Sequence, residues 1–194
     1  MAIGPRSNSR LGKAVAALIS CALLAACARA SSPALHGTAY VPPRPAPEFA
    51  LPSTVGRTFD LAKARGHLVV LYFGFTHCAD VCPQTLAHVD AAIRAAQTPA
   101  VRLVFASIDP RRDSIAAERA FFARAAVRAI GVTGTAAQLA PVWKAYGVSI
   151  APQLHDIAHS DYLYLIDPNG SLREVLHADV PIADLTADLR ALAS

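Results

Sequence analysis

The sequence has 194 residues, a formal net charge of +4 and a single methionine, Met1. Arg6, Arg10 and Lys13 fall in the first 26 positions beside no acid, so residues 27–194 carry only +1. With no Lys/Arg block or stripe left, nucleic acid is excluded as a partner, steering by a large field is not expected, and a metal site built on methionine is ruled out.

The basic start is followed by an uncharged, apolar or small stretch, Ala14 to Ala26. A membrane span needs about 20 residues, so this shorter run reads as a secretory signal, residues 1–26. Its ending, Leu24-Ala25-Ala26-Cys27, resembles the bacterial lipobox, which implies that Cys27 becomes the acylated first residue of a mature chain held on the periplasmic side of the bacterial cell envelope. An ordinary signal peptide or an uncleaved anchor is the alternative. Residues 27–47, with Pro33, Pro42, Pro43, Pro45 and Pro47, are expected to be a tether and not a folded element. The domain is expected at 48–194, a length that suits one domain with a full core.

Leu68 to Phe75 is apolar on both faces and predicts a central strand covered by helices. A helix follows from about Cys82 to Ala96, with Leu86, Val89 and Ile93 at helical spacing. Val101 to Ile108 is a second buried strand. It ends in Asp109-Pro110-Arg111-Arg112-Asp113, where Asp113 is expected to cap a helix running to about Ala126. A short strand at Ile130–Val132 and a helix at Thr135–Tyr146 come next. Tyr162–Ile166 and Leu172–Leu176 are strands joined through Asn169-Gly170, a strong hairpin signal. Pro181–Leu192 closes the chain as a helix. The order predicts an α/β fold: a central mixed sheet flanked by helices, with a C-terminal hairpin and helix, the outline of a thioredoxin-like domain.

The chemistry centres on Phe73-Gly74-Phe75-Thr76-His77-Cys78-Ala79-Asp80-Val81-Cys82-Pro83. If Cys78 and Cys82 sit at a helix start, their i, i+4 spacing puts both sulfurs on one face, where the amides and the dipole favour a thiolate. Such a pair can hold a soft metal ion or close a disulfide. With Cys21 lost in the signal and Cys27 lipidated, these are the only free thiols. A purely structural disulfide closing so small a loop stabilises little. A copper ion held as both Cu(I) and Cu(II) needs an imidazole beside the thiolates. His159 precedes a strand whose loop faces the helix start in a thioredoxin-like sheet, and is the preferred candidate over His155 and His77. His36, His67, His88 and His177 have no constellation and read as surface residues. Asp80 reads as a capping or solvated group, and Phe73 and Phe75 as an apolar border to the metal site.

These segments, with Ser107-Ile108-Asp109-Pro110-Arg111-Arg112-Asp113, Ile130-Gly131-Val132-Thr133-Gly134-Thr135 and His159-Ser160 leading into Tyr162–Gly170, resemble the Sco/SenC family of copper chaperones over roughly residues 48–192. The resemblance implies a thioredoxin-like fold with Cys78, Cys82 and His159 as copper ligands. It implies delivery of copper to the copper A centre of cytochrome c oxidase subunit II or another extracytoplasmic cuproprotein, or reduction of that centre's cysteines. An upstream copper donor is implied too. A monomer is expected, since nothing in the chain demands a dimer. The residue after the first motif cysteine is usually Pro in this family and is Ala79 here. The competing reading is a thiol–disulfide reductase or redox sensor that uses Cys78 and Cys82 without metal. A peroxidase would want a Thr and an Arg activating one cysteine, and no such arrangement is seen.

Overall fold

The computed structural model describes residues 34–153 and 157–193. Its central strand, β4 (Leu68–Gly74), is buried along its whole length, as an unbroken Leu-Val-Val-Leu-Tyr-Phe run demands. β4 pairs in parallel with β5 (Val101–Ser107), which pairs in parallel with β6 (Ile130–Val132). On its other side β4 runs antiparallel to β9 (Tyr162–Ile166), which forms a hairpin with β10 (Ser171–His177). An edge strand, β1 (Thr38–Pro45), completes the six-stranded order β1-β10-β9-β4-β5-β6.

Helices α1 (Val81–Ala96), α2 (Ile115–Ala125), α3 (Ala136–Tyr146) and α4 (Ile182–Leu192) accompany this sheet. Leu86, Val89 and Ala92 of α1 and Leu185, Leu189 and Leu192 of α4 are buried at helical spacing. Phe105 on β5 meets the rings of Phe121 and Phe122 on α2 at 5.7 and 5.5 Å. Among the described residues no helix is long and apolar enough to cross a membrane. The mixed sheet and its flanking helices form a thioredoxin-like fold.

Three features depart from the sequence reading. Residues 38–45, expected as an unfolded tether, form β1, so the domain starts before residue 48. Prolines are tolerated there because a sheet edge leaves backbone donors unpaired anyway. Short strands β2 (Ala50–Pro52) and β3 (Thr58–Asp60) pair with one another, a motif too brief to show periodicity. Asp113 is not a helix cap: Ser114 caps α2, its hydroxyl accepting from Ala117 N–H at 3.1 Å. By contrast, Thr135 caps α3 through a reciprocal pairing with Gln138. The signal and Cys27 lie outside the described residues, as does His155.

Candidate metal centre

The thiol pair sits where β4 turns into α1. Cys78 lies in that turn, its N–H donating to the Phe75 carbonyl at 3.3 Å. Cys82 is the second residue of α1. Pro83 falls in the first helical turn, where a missing N–H breaks no intrahelical bond. The Cys82 N–H donates to Cys78 Sγ at 3.1 Å, so the first turn of the helix closes directly onto the sulfur.

Burial divides the two thiols. Cys78 is half-buried, whereas Cys82 has no exposed surface. The Cys78 thiol is pushed down to about 6, chiefly by the hydrogen bond from the Cys82 side chain. Backbone N–H groups of Cys82, Asp80 and Val81 assist it, and burial opposes it. The same thiol–thiol bond, followed by burial, pushes Cys82 strongly up. Near neutral pH the pair is therefore one thiolate at Cys78 and one thiol at Cys82, the arrangement expected at a helix N-terminus. A groove of about 400 Å³ runs beside Cys78, with His77, Pro83, Phe121 and Arg124 on its walls.

The turn is fixed from below by Asp113. Its Oδ1 accepts from the Thr76 N–H at 3.0 Å and the Thr76 hydroxyl at 2.7 Å; its Oδ2 accepts from the Ser107 hydroxyl at 2.6 Å. The Asp113 carbonyl accepts from Thr133 at 2.8 Å. Burial pushes the Asp113 carboxyl up, and the Ser107 and Thr76 hydrogen bonds oppose that shift. Sequence reasoning saw Asp113 only as a local cap, since no short-range signal reports a bond across 37 positions.

His159 reaches the site from a separate two-stranded ribbon, β7 (Ile150–Pro152) paired with β8 (Ile157–His159). The base of the ribbon is pinned by Ser160 N–H to Ser149 carbonyl at 3.0 Å and Ser149 N–H to Ser160 Oγ at 2.8 Å. His159 Nδ1 lies 2.9 Å from the Ser160 carbonyl. A carbonyl only accepts, so Nδ1 carries the proton and the Nε2 lone pair of the neutral ring is left for a ligand. The imidazole stands edge-on to Phe75 at 6.0 Å and to Tyr72 at 6.4 Å. Tyr72 in turn faces Cys82 and donates its hydroxyl to Asp161 at 3.0 Å.

Cys78 and Cys82 are thus in direct contact, while His159 meets the rings of Phe75 and Tyr72, the latter of which faces Cys82. Among the described residues no three His, Cys, Asp or Glu side chains converge closely enough to hold a metal ion. Phe75, past the end of β4, borders the site as expected, but Phe73, still within the strand, does not: its ring meets Tyr146 and Tyr164 at 5.5 and 5.6 Å. His77 is exposed and hydrogen-bonded to Thr76 at 3.1 Å, away from the pair. Asp80 is exposed and makes no capping bond. Two histidines read as surface groups have buried partners: His88 Nε2 lies 2.5 Å from the Val180 carbonyl, and His36 contacts Asp188.

A low-pKa thiol and a buried second thiol at the start of a helix that follows the central strand define a dithiol protein of the thioredoxin-like class. The SCO1/SenC family model matches residues 39–194, and the chain belongs to that family. It is 37% identical over 133 residues to the mitochondrial protein SCO2 homolog of Bos taurus, covering 63% of this chain and 50% of that protein. It is 30% identical over 146 residues to the SCO2-like protein RP587 of Rickettsia prowazekii, covering 71% of each. The chain spans about half the length of the mammalian curated relatives it matches. Among solved structures, Arabidopsis thaliana ScoI with copper bound superposes with a TM-score of 0.70 at 28% identity, over 75% of this chain and 95% of that one.

Proposed function

We propose that this protein binds copper through Cys78, Cys82 and His159 and passes it to a cuproprotein outside the cytoplasm, the copper A centre of cytochrome c oxidase subunit II being the recipient the family resemblance implies. The observation that carries the reading is the donor set. Two adjacent sulfurs, one already a thiolate, suit Cu(I), and an imidazole with a free Nε2 adds the ligand that Cu(II) prefers. The solved copper-bound relative supports the choice of metal. Cys78, half-exposed, is the sulfur a recipient's ligands can approach, so transfer proceeds by ligand exchange from that side. Acylation at Cys27 holds the domain at the periplasmic face of a membrane, where the recipient centre is assembled.

The split between the thiols favours a second reading, reduction of a partner's disulfide. The Cys78 thiolate attacks one partner sulfur, the partner S–S bond breaks, and the other partner sulfur leaves as a thiolate. Cys82 gives that thiolate its proton and attacks Cys78. The products are a Cys78–Cys82 disulfide and the partner's two reduced sulfurs, one a thiol and the other a thiolate that takes its proton from water, with two electrons transferred.

Titration of the reduced protein with copper separates the two. A one-to-one complex with thiolate-to-Cu(II) charge transfer and nitrogen coupling in electron paramagnetic resonance, lost in Cys78→Ala and altered in His159→Ala, is expected. No stable complex, with Cys78 and Cys82 oxidising to a disulfide, overturns copper binding in favour of disulfide reduction.

A further inference from the structure

All of β1 except Tyr40 is exposed, and its two halves are fastened differently. The pairs Arg44–Leu172 and Pro45–Ser171, with the Ala46 N–H on the Gly170 carbonyl at 3.0 Å, hold the second half. The first half pairs at Thr38–Val175 and Ala39–Glu174, and the register shifts between Ala39 and Arg44. Ahead of it lies a polar clasp. His36 Nδ1 donates to Asp188 Oδ1 at 2.8 Å, and the His36 N–H reaches Oδ2 at 3.3 Å. The Gly37 N–H donates to Glu174 Oε1. His36 Nε2 stands 3.7 Å from Asp184.

The two acids beneath the clasp are unusual in their isolation. Glu174 has no exposed surface and Asp188 only 1%. Among the described residues neither pairs with a Lys or Arg, and Glu174 Oε2 is buried without a hydrogen-bond partner. Among the described residues the cationic group paired with them is His36, whose side chain is 41% exposed. The docking is close: a Cβ on Gly37 would lie 2.6 Å from the Val175 carbonyl and 3.0 Å from Glu174 Oε1.

We propose that residues 34–40 are a pH-operated strap: protonated His36 and Glu174 hold it against β10 and α4, and loss of both protons releases it up to the register shift. The titratable groups facing the clasp are Asp184 and Asp188 from α4 and Glu174 from β10. Hydrogen bonding to Asp188 is the main force raising His36. Burial is the main force pushing Glu174 up, to about 7. His36 gains its carboxylate partners only when the strap docks, so its part of the clasp is complete below the ordinary imidazole range and is lost as pH rises through its raised value. For Glu174, burial outweighs the Gly37 N–H and His36, which favour the charged carboxylate, and its part is lost as pH rises through about 7. Above it, a neutral His36 faces two adjoining buried carboxylates, which repel. If Cys27 carries the lipid, release adds the seven residues 34–40 to the tether, an extra reach of about 25 Å at full extension.

Amide hydrogen exchange on the full-length protein tests this, with rates expressed as protection relative to an unstructured peptide at each pH. Protection of residues 34–40 should fall ~10-fold or more between about pH 5.5 and about pH 8.5, while β9 stays protected. Glu174→Gln and His36→Gln should each flatten that dependence; His36 is exposed enough for its variant to fold if Glu174→Gln does not. Equal protection at both pH values, or a wild-type dependence in the variants, overturns the proposal.

Discussion

Asp113 and Thr76 are 37 positions apart, and one carboxylate oxygen of Asp113 takes both the N–H and the hydroxyl of Thr76. The turn that presents Cys78 is therefore held by the loop after β5, and not only by its own helix. Asp113→Ala leaves the Thr76 N–H, the Thr76 hydroxyl and the Ser107 hydroxyl buried without this acceptor. It should cost about 2–4 kcal/mol in denaturant unfolding. Asp113→Asn keeps part of the acceptor capacity and should lose less.

The thiol pair should show its asymmetry in alkylation. Cys78 should react with iodoacetamide with a midpoint near pH 6, while Cys82 stays protected in the native protein. Cys82→Ala removes the largest acidifying contact, and the midpoint should move up toward the ordinary thiol range. Because folding depresses Cys78 from 9.0 to about 6, the stability it contributes is present above about pH 9 and is lost as pH falls toward 6. A midpoint unchanged by Cys82→Ala would show that the helix amides alone set the thiolate.

Glu118 is fully buried, both its oxygens lack partners, and it presses on Gly131, where a Cβ would lie 2.4 Å from Oε2. Burial first, then Asp113, pushes its carboxyl up to about 8. The group therefore folds neutral: its contribution is present below about pH 4.5 and lost as pH rises through about 8. Glu118→Gln should match the wild type near pH 5 and exceed its stability near pH 9 by on the order of 3 kcal/mol. Parallel pH profiles of unfolding in the two proteins would refute this.

Cys27→Ser should move the protein from the membrane fraction to the soluble periplasmic fraction. Retention on membranes after the substitution would remove the lipid anchor from the proposal.

The central strand, the motif helix and the C-terminal hairpin were legible because each carries its own period or turn chemistry within a short window. β1 was not. Its prolines and exposed face read as a tether, and only the free edge of β10 makes a strand of them. In the site, the sulfur pair followed from spacing alone. The splitting of the two thiols needs the burial of Cys82, which spacing does not report, and the Asp113 clamp and the Tyr72–Asp161 bond join chain segments far apart in sequence, whose meeting no local pattern announces. The same holds for His36, which reads as a lone surface histidine until helix α4 brings Asp188 beneath it.

The imidazole and the sulfurs are carried by different pieces of backbone. The ribbon of β7 and β8 shares no ladder with the six-stranded sheet, and Ser149 and Ser160 tie its base. The two strands of the ribbon are therefore joined to the rest of the fold through side chains, Ile150 and Ile157 against the core and His159 against Phe75 and Tyr72. A substitution at His159 can therefore remove the imidazole while leaving every ladder of the six-stranded sheet, and the contact between the two sulfurs, in place.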